Sequence, residues 1–428
     1  MKVYVFEDTK YEKFLPLVYF RPVFDLKCGA LSLKEKIEKY TGSKISHLLC
    51  RKELSSLLKE IYPKKKTNGL SSDFSLFING RVIADSSFIK QLRFDKKKDK
   101  LFIKDDSIVA AYLKPVTIEK LRERWDNNSI NISDILKSVA SEEDIQMQDT
   151  DVRIADYAWD LIKFNGEEIR NDFLLISKEM KGKKLLGSIH SSAHLLNKKD
   201  IIIDRESEIG PGVVLDATHG QIIIGMNVNV MAHAVIIGPT FIGDNTIVRV
   251  GAKIYSNTSI GEVCKVGGEV DSSIIHSYSN KQHDGYLGHA YLGSWVNIGA
   301  DTNNSDLKNN YSNVKVYLNG KLTDTGMQHF GMLMGDHSKT GINMMFDTGT
   351  IFGVACNLYG SGLPPRFVPS FVRGSVTAPL KTHSIEMALE TAKIVMSRRN
   401  VQFLKSYEEL FRKTFELTVS ERKREKNI

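Results

Sequence analysis

The chain has 428 residues, 42% hydrophobic and 26% charged, a length beyond one ordinary domain and a balance typical of a globular fold. No apolar run approaches the roughly 20 residues of a membrane span, and the N-terminus Met1-Lys2-Val3-Tyr4-Val5-Phe6-Glu7-Asp8 lacks the apolar core and cleavage site of a secretion signal. The net charge of +8 is dilute; its densest runs, Lys64–Lys66, Lys96–Lys98 and Arg422–Lys426, come without a zinc-finger or aromatic-rich RNA signature, so they read as solvated surface and nucleic acid is not an expected partner.

Residues 1–190 read as an α/β domain. Val3–Phe6 is a first strand. Ser32 to Tyr40 predicts a helix, with Ser32 as its cap and Glu35 three residues later. Phe74–Ile78 reads as a further strand, ending at Asn79-Gly80-Arg81. The four cysteines, Cys28, Cys50, Cys264 and Cys356, are widely spaced, which predicts free thiols in a reducing cytoplasm and no zinc site.

A six-residue register follows. Ile224, Val230, Ile236, Ile242, Val248, Ile254, Ile260 and Val266 are all aliphatic and β-branched. Small residues precede the later members by two positions (Ala234, Thr240, Thr246, Ala252, Thr258, Cys264), and glycine follows directly at Gly225, Gly243, Gly261 and Gly267. A period of six fits neither a helix nor an alternating strand. It fits a parallel β-helix in which three hexads make one triangular coil, with glycine or asparagine at the turns. The register extends upstream through Ile203, Ile209 and Leu215 and slips by three residues near Asp216–Gly220. It returns at Leu292 and Ile298, and again at Met334, Thr340, Phe346, Phe352 and Leu358. The polar stretch from Asp301 to Thr325 reads as an extended loop leaving the solenoid. These hexads define a second domain over 198–376. Residues 377–428 read as a helical tail, with Ile385, Leu389, Ala392 and Met396 on one face and Phe403, Leu410 and Phe411 following; covering the solenoid end is its expected role.

The segment His283-Asp284-Gly285-Tyr286-Leu287-Gly288-His289, continuing to Val296-Asn297-Ile298-Gly299-Ala300-Asp301-Thr302, closely resembles the acetyltransferase half of the bifunctional glucosamine-1-phosphate acetyltransferase / N-acetylglucosamine-1-phosphate uridyltransferase family. Val314-Lys315-Val316 and Gly335-Asp336-His337-Ser338-Lys339-Thr340-Gly341 resemble its archaeal-type branch. The resemblance implies a left-handed β-helix, a homotrimer, and acetyl-CoA or another acyl-CoA as cofactor. It implies His283 as general base, since an attacking amine must lose a proton and imidazole titrates near neutrality. Tyr286 and Asn297 match residues lining the sugar pocket, Lys315 a loop lysine, and Lys253, by spacing alone, a phosphate-binding position. Three residues depart from the pattern: Asp301 replaces a glycine, His289 an aspartate, and Asp271 a phosphate-binding lysine, which puts a sugar-phosphate acceptor in doubt.

Arg21-Pro22-Val23, Asp25-Leu26-Lys27, Gly29 and Lys34-Glu35-Lys36, with Asn79-Gly80-Arg81 and Trp159-Asp160-Leu161, resemble a divergent sugar nucleotidyltransferase family that lacks the usual glycine-rich loop. That implies a Rossmann-like α/β nucleotidyltransferase-like fold. Arg21, Lys27, Asn79 and Gly80 become candidate nucleotide or phosphate ligands, and Mg²⁺ is implied if the domain is active. Arg81 stands where ordinary pyrophosphorylases hold the metal with aspartate; Asp8, Asp25, Asp85 and Asp160 are the substitutes on offer. The expected function is therefore a cytoplasmic transferase of sugar-nucleotide metabolism acting on a sugar phosphate, an NTP and an acyl-CoA. Two alternatives stand beside it: an acyltransferase with a non-catalytic first domain, and a non-catalytic trimeric scaffold.

Overall fold

The computed structural model describes residues 1–92, 98–125, 132–143 and 145–425; Lys96, Lys97 and Lys426 of the basic runs lie outside them. The first domain is built on a seven-stranded sheet in the order Lys66–Thr67, His47–Leu49, Lys2–Phe6, Ser75–Asn79, Ser107–Leu113, Lys100–Lys104, Gln146–Asp149. The first four strands are mutually parallel, and Ser107–Leu113 runs antiparallel to its neighbours on both sides. The predicted helix spans Leu33–Thr41, and Ser32 and Glu35 close a capping box on it. A 22-residue helix, Ala158–Glu179, ends the domain.

The β-helix follows. One face stacks six strands from Ser188–Ile189 to Asn280–Lys281, and the second stacks six from His194–Leu196 to Tyr286–Gly288. The third carries nine, from Ile201–Ile203 to Phe367–Val368. Ile224, Ile242 and Ile260 pair across successive coils at intervals of eighteen residues, the three-hexad coil of a left-handed hexapeptide helix. Ile203 pairs with Ile224, which places the three-residue slip where the sequence has it. The aliphatic register forms the dry interior, with Ile224, Val230, Ile236, Ile242, Val248, Ile260 and Val266 all fully buried, each contributing about 1.5–3 kcal/mol on transfer from water. Gly225, Gly243 and Gly261 are there for space rather than for the turn: a Cβ on Gly243 would lie 2.7 Å from the backbone of the next coil. The left-handed turn positions fall on residues such as Asn227 and Asn245.

The polar stretch is more ordered than its composition suggests. Asn303–Asn304 remains in the coil, paired with Met345–Phe346. The excursion beyond it folds as a hairpin, Lys315–Leu318 against Lys321–Asp324, turning at Asn319-Gly320. Val314, Val316 and Leu318 pack with Phe14, Leu17 and Trp159 of the first domain.

The two domains share an extensive contact. Ile202, Ile223 and Phe241 of the third face pack on Ile169 and Phe173 of the long helix, and Ile274, Tyr291, Leu333 and Ile351 join the Phe14–Trp159 cluster. The tail helices, Ile385–Ser397 and Lys405–Leu417, bury the predicted Leu389, Ala392, Leu410 and Phe411. They pack beside the coil, against Val354, Ala355 and Phe371, and among the described residues none of them joins the cluster inside it. They join Phe371 of the last coils to Leu54 and Leu58 of the first domain in one core.

Candidate functional site

Among the corners that join the first face to the second, one is short. The chain takes six residues to pass from first to second face between Val248 and Ile254, and six between Lys281 and Leu287, but four between Val266 and Val270. The Gly267-Gly268 corner is therefore recessed between two full ones. Gly268, at φ +68°, leaves no room for a Cβ, which would lie 2.7 Å from the His283 carbonyl oxygen. The recess is a cleft of about 320 Å³ lined by Arg249 and Val250 on one side, Gly268 at its floor, and Gln282, His283 and Asp284 on the other. Ala300 and Asp301 complete it.

His283 is exposed at the rim, and its ring makes no hydrogen bond among the described residues. Its backbone is anchored from inside the coil. Lys281 occupies the interior position that Val230, Val248 and Val266 hold in preceding coils, and it is 1% exposed. Its ammonium donates to the carbonyls of Gly267, His283 and Asp284. Burial pushes its pKa down to about 8. Lys281 lies two residues before the predicted base and interrupts a register that is aliphatic in every preceding coil; that break is the signal that could have singled it out. The cleft brings together an exposed imidazole from His283 and the guanidinium-bearing Arg249.

Tyr286 and Lys253 lie on the second face in one ladder, Val235, Lys253, Glu269, Tyr286. Lys253 is exposed and sits 3.8 Å from Glu269. The Tyr286 hydroxyl donates to Asp306 Oδ2 at 2.9 Å. Burial, then the charges of Asp306, Asp271 and Glu269, push its phenol well above the usual range. The surroundings of Tyr286 are thus acidic, as the Asp271 departure suggested. Asn297 is exposed on the first face, its backbone bridged to Asn280 and Lys339. Lys315 is exposed on the hairpin, whose apolar side is held by the first domain.

In the first domain, the carboxyl ends of the parallel strands, where doubly wound folds bind ligands, are closed by an ion pair. Arg81 is fully buried; it donates to both Asp8 oxygens at 2.8–3.1 Å, to Ser107 Oγ, to the Ala155 carbonyl and to Asp156. Asn79, also fully buried, donates to Asp8 Oδ2 and accepts from the Arg81 amide. Gly80 has Phe24 2.8 Å from where a Cβ would stand. A Mg²⁺ ion does not fit this donor set, because Asp8 is already neutralised by Arg81 and Asp156 faces Arg81 and Lys10. The other substitutes are committed as well: Asp25 to Lys34, Asp85 to the start of the Phe88–Gln91 helix, and Asp160 to the amides of Asp156 and Tyr157.

Arg21 and Lys27, read as phosphate ligands, reach into the β-helix instead. Arg21 forms a bidentate pair with Asp336 and donates to Ser294 Oγ at 3.0 Å. Lys27 pairs with Glu262 at 2.7 Å. Burial works against the Glu262 charge, yet Lys27 holds its pKa down to about 2. The Lys27 amide donates to the Tyr291 hydroxyl, which donates back to the Lys27 carbonyl. The rest of the motif is committed as well, Gly29 to a link toward the β-helix and Lys36 within the first domain. The Gly29 amide donates to Asn165 Oδ1, and Asn165 donates to the Asn257 carbonyl. Lys36, fully buried, pairs with Glu168 at 2.7 Å and Asp172 at 2.5 Å.

Among known proteins, residues 3–181 match the family described as sugar nucleotidyl transferase. The chain is 34% identical over 157 residues to the bifunctional protein GlmU of Acaryochloris marina, covering 36% of this chain and 29% of that one. It is 32% identical over 113 residues to the bifunctional sugar-1-phosphate nucleotidylyltransferase/acetyltransferase of Sulfurisphaera tokodaii, covering 26% and 28%. The chain thus spans less than a third of the length of either relative. Among solved structures, UDP-N-acetylglucosamine acyltransferase of Francisella novicida overlaps 50% of this chain and 74% of its own at 15% identity, with a TM-score of 0.31; the fold description rests on the strand pairing given above. No helix among the described residues is long and apolar enough to cross a membrane. The chain is thus related, at modest identity, to the bifunctional nucleotidyltransferase/acetyltransferases, and its match to the sugar nucleotidyl transferase family occupies residues 3–181.

Proposed function

We propose that the chain is a transferase of sugar-nucleotide metabolism that moves an acyl group from acyl-CoA to an amino sugar, with His283 as general base. The observation that carries this reading is the open imidazole over the recessed Gly267-Gly268 corner, on a backbone pinned by Lys281. The cofactor supplies an activated thioester carbonyl. His283 accepts the proton that the acceptor amine loses as it attacks. Arg249 offers a positive charge to a phosphate of either substrate. Glu269, Asp271 and Asp306 around Tyr286 repel a phosphate there, which favours an acceptor amine presented without a phosphate against that face. The working form is a homotrimer of the cytoplasm.

The Asp8–Arg81 pair favours the reading in which the first domain no longer transfers nucleotides and serves as a fixed partner of the β-helix. The test is a rate assay with acetyl-CoA and other acyl-CoAs against amino sugars, with and without a 1-phosphate. His283→Ala should lose roughly 10²–10⁴ in rate while retaining CoA binding and assembly. A correctly assembled variant with the wild-type rate would sink the assignment. Pyrophosphate release from any NTP with Mg²⁺ and a sugar 1-phosphate would restore activity to the first domain, and a monomer in sedimentation equilibrium would remove the trimer.

A further inference from the structure

At the root of the excursion that leaves the coil, His289, Asp306 and His329 present one ligand atom each, all within 4.8 Å of one another. His289 Nδ1 lies 2.7 Å from Asp306 Oδ2, and the His289 and His329 rings are 5.0 Å apart between centroids. We propose that these three side chains form a binding site for a first-row divalent cation of the zinc type. Two imidazoles and one carboxylate are borderline donors that suit Zn²⁺ and its neighbours over Mg²⁺ or Ca²⁺, and three protein ligands leave a coordination position open.

The site is held in shape by backbone. The Gly331 amide donates to the His289 carbonyl at 2.9 Å, and the Phe330 amide donates to the Asp306 carbonyl at 2.8 Å. Leu307 and His329 form an antiparallel bridge. The excursion therefore leaves at Asp306 and returns at His329 with all three residues tied to one another, so little ordering remains to be done when a cation binds. His289 holds φ +45°, a left-handed position that turns its ring toward the root of the loop. Gly288 makes room: a Cβ there would lie 2.2 Å from the Tyr286 hydroxyl and 2.6 Å from Asp306 Oδ2. His289 and Asp306 are largely buried, with 20% and 13% of their side chains exposed, while His329 is exposed and gives access from solvent. Tyr286, whose hydroxyl donates to Asp306, fixes the carboxylate from behind. His289 also stands where the resembling family carries aspartate.

The test uses the full chain stripped of metal. Zn²⁺ is titrated by calorimetry, and Co²⁺ by visible absorption. One equivalent per chain is expected, with the absorption bands of a four- or five-coordinate cobalt site. His329→Ala, at an exposed position, and the isosteric Asp306→Asn should each weaken binding on the order of 100-fold or more. His283→Ala should bind as the parent does. Absence of stoichiometric binding, or parental affinity in either His329→Ala or Asp306→Asn, would overturn the site.

Discussion

Replacing Lys36 with methionine keeps the length of the side chain and removes the cation that Glu168 and Asp172 share, all three being fully buried. Even with Lys36 in place, burial raises the Asp172 pKa from 3.8 to about 6. At about 1.36 kcal/mol per unit, that shift alone costs roughly 3 kcal/mol at pH 7. Removing one partner of a buried pair costs about 3–5 kcal/mol, so Lys36→Met should lose about that much at neutral pH. The pH dependence has a definite sign. Asp172 has its folded pKa above its unfolded one, so the folded state holds the extra proton between about 4 and 6, and stability falls as pH rises through that window. Without Lys36, whose charge lowers the Asp172 pKa, that carboxyl rises further, so the loss should be largest at pH 7 and shrink toward pH 4. Urea titrations of parent and variant at pH 7 and pH 4.5 measure both. A triple variant, Lys36→Met with Glu168→Gln and Asp172→Asn, should regain much of the loss. A deficit below about 1 kcal/mol at pH 7, or one that does not change with pH, would refute the account of this triad.

Lys281 carries a second pH signature. Its folded pKa, about 8, lies below the ordinary lysine value of 10.5, so the unfolded chain binds the extra proton between these values and stability should rise with pH across that window. Lys281→Met should remove about 1.4 kcal/mol per pH unit of that rise, as read from denaturant midpoints at pH 8 and pH 10. Tyr291→Phe deprives the Lys27 amide of its acceptor and should cost about 1–3 kcal/mol in thermal melts; an unchanged melt would show that this link contributes nothing.

The interior of the β-helix is legible in sequence because each buried position stacks on its equivalents in neighbouring coils; spacing alone identifies Ile224 through Val266, the three-residue slip included. The hairpin is legible too. Val314, Val316 and Leu318 alternate with exposed residues and lead into Asn319-Gly320, the pattern and turn of a two-residue hairpin, but the polar residues around it masked the period. Arg21 and Lys27 are a different case. Their types and motif fit phosphate binding equally well, and what distinguishes a strut from a ligand is a partner far along the chain: Asp336 for Arg21, Glu262 for Lys27. No local pattern contains that information. The same holds for His289, Asp306 and His329, which only the return of the excursion brings together.

The recessed corner has a consequence for how such solenoids diversify. The cleft beside His283 comes from omitting two residues at Gly267-Gly268, with Val266 and Val270 still in line with the residues stacked on either side of them. Corner length is thus uncoupled from the interior: a two-residue insertion would fill the notch without disturbing a single aliphatic layer, and a two-residue deletion elsewhere would carve a new one. A prism of this kind can gain or lose a reaction chamber by indels alone, and the number and placement of its chambers can drift while the scaffold stays fixed.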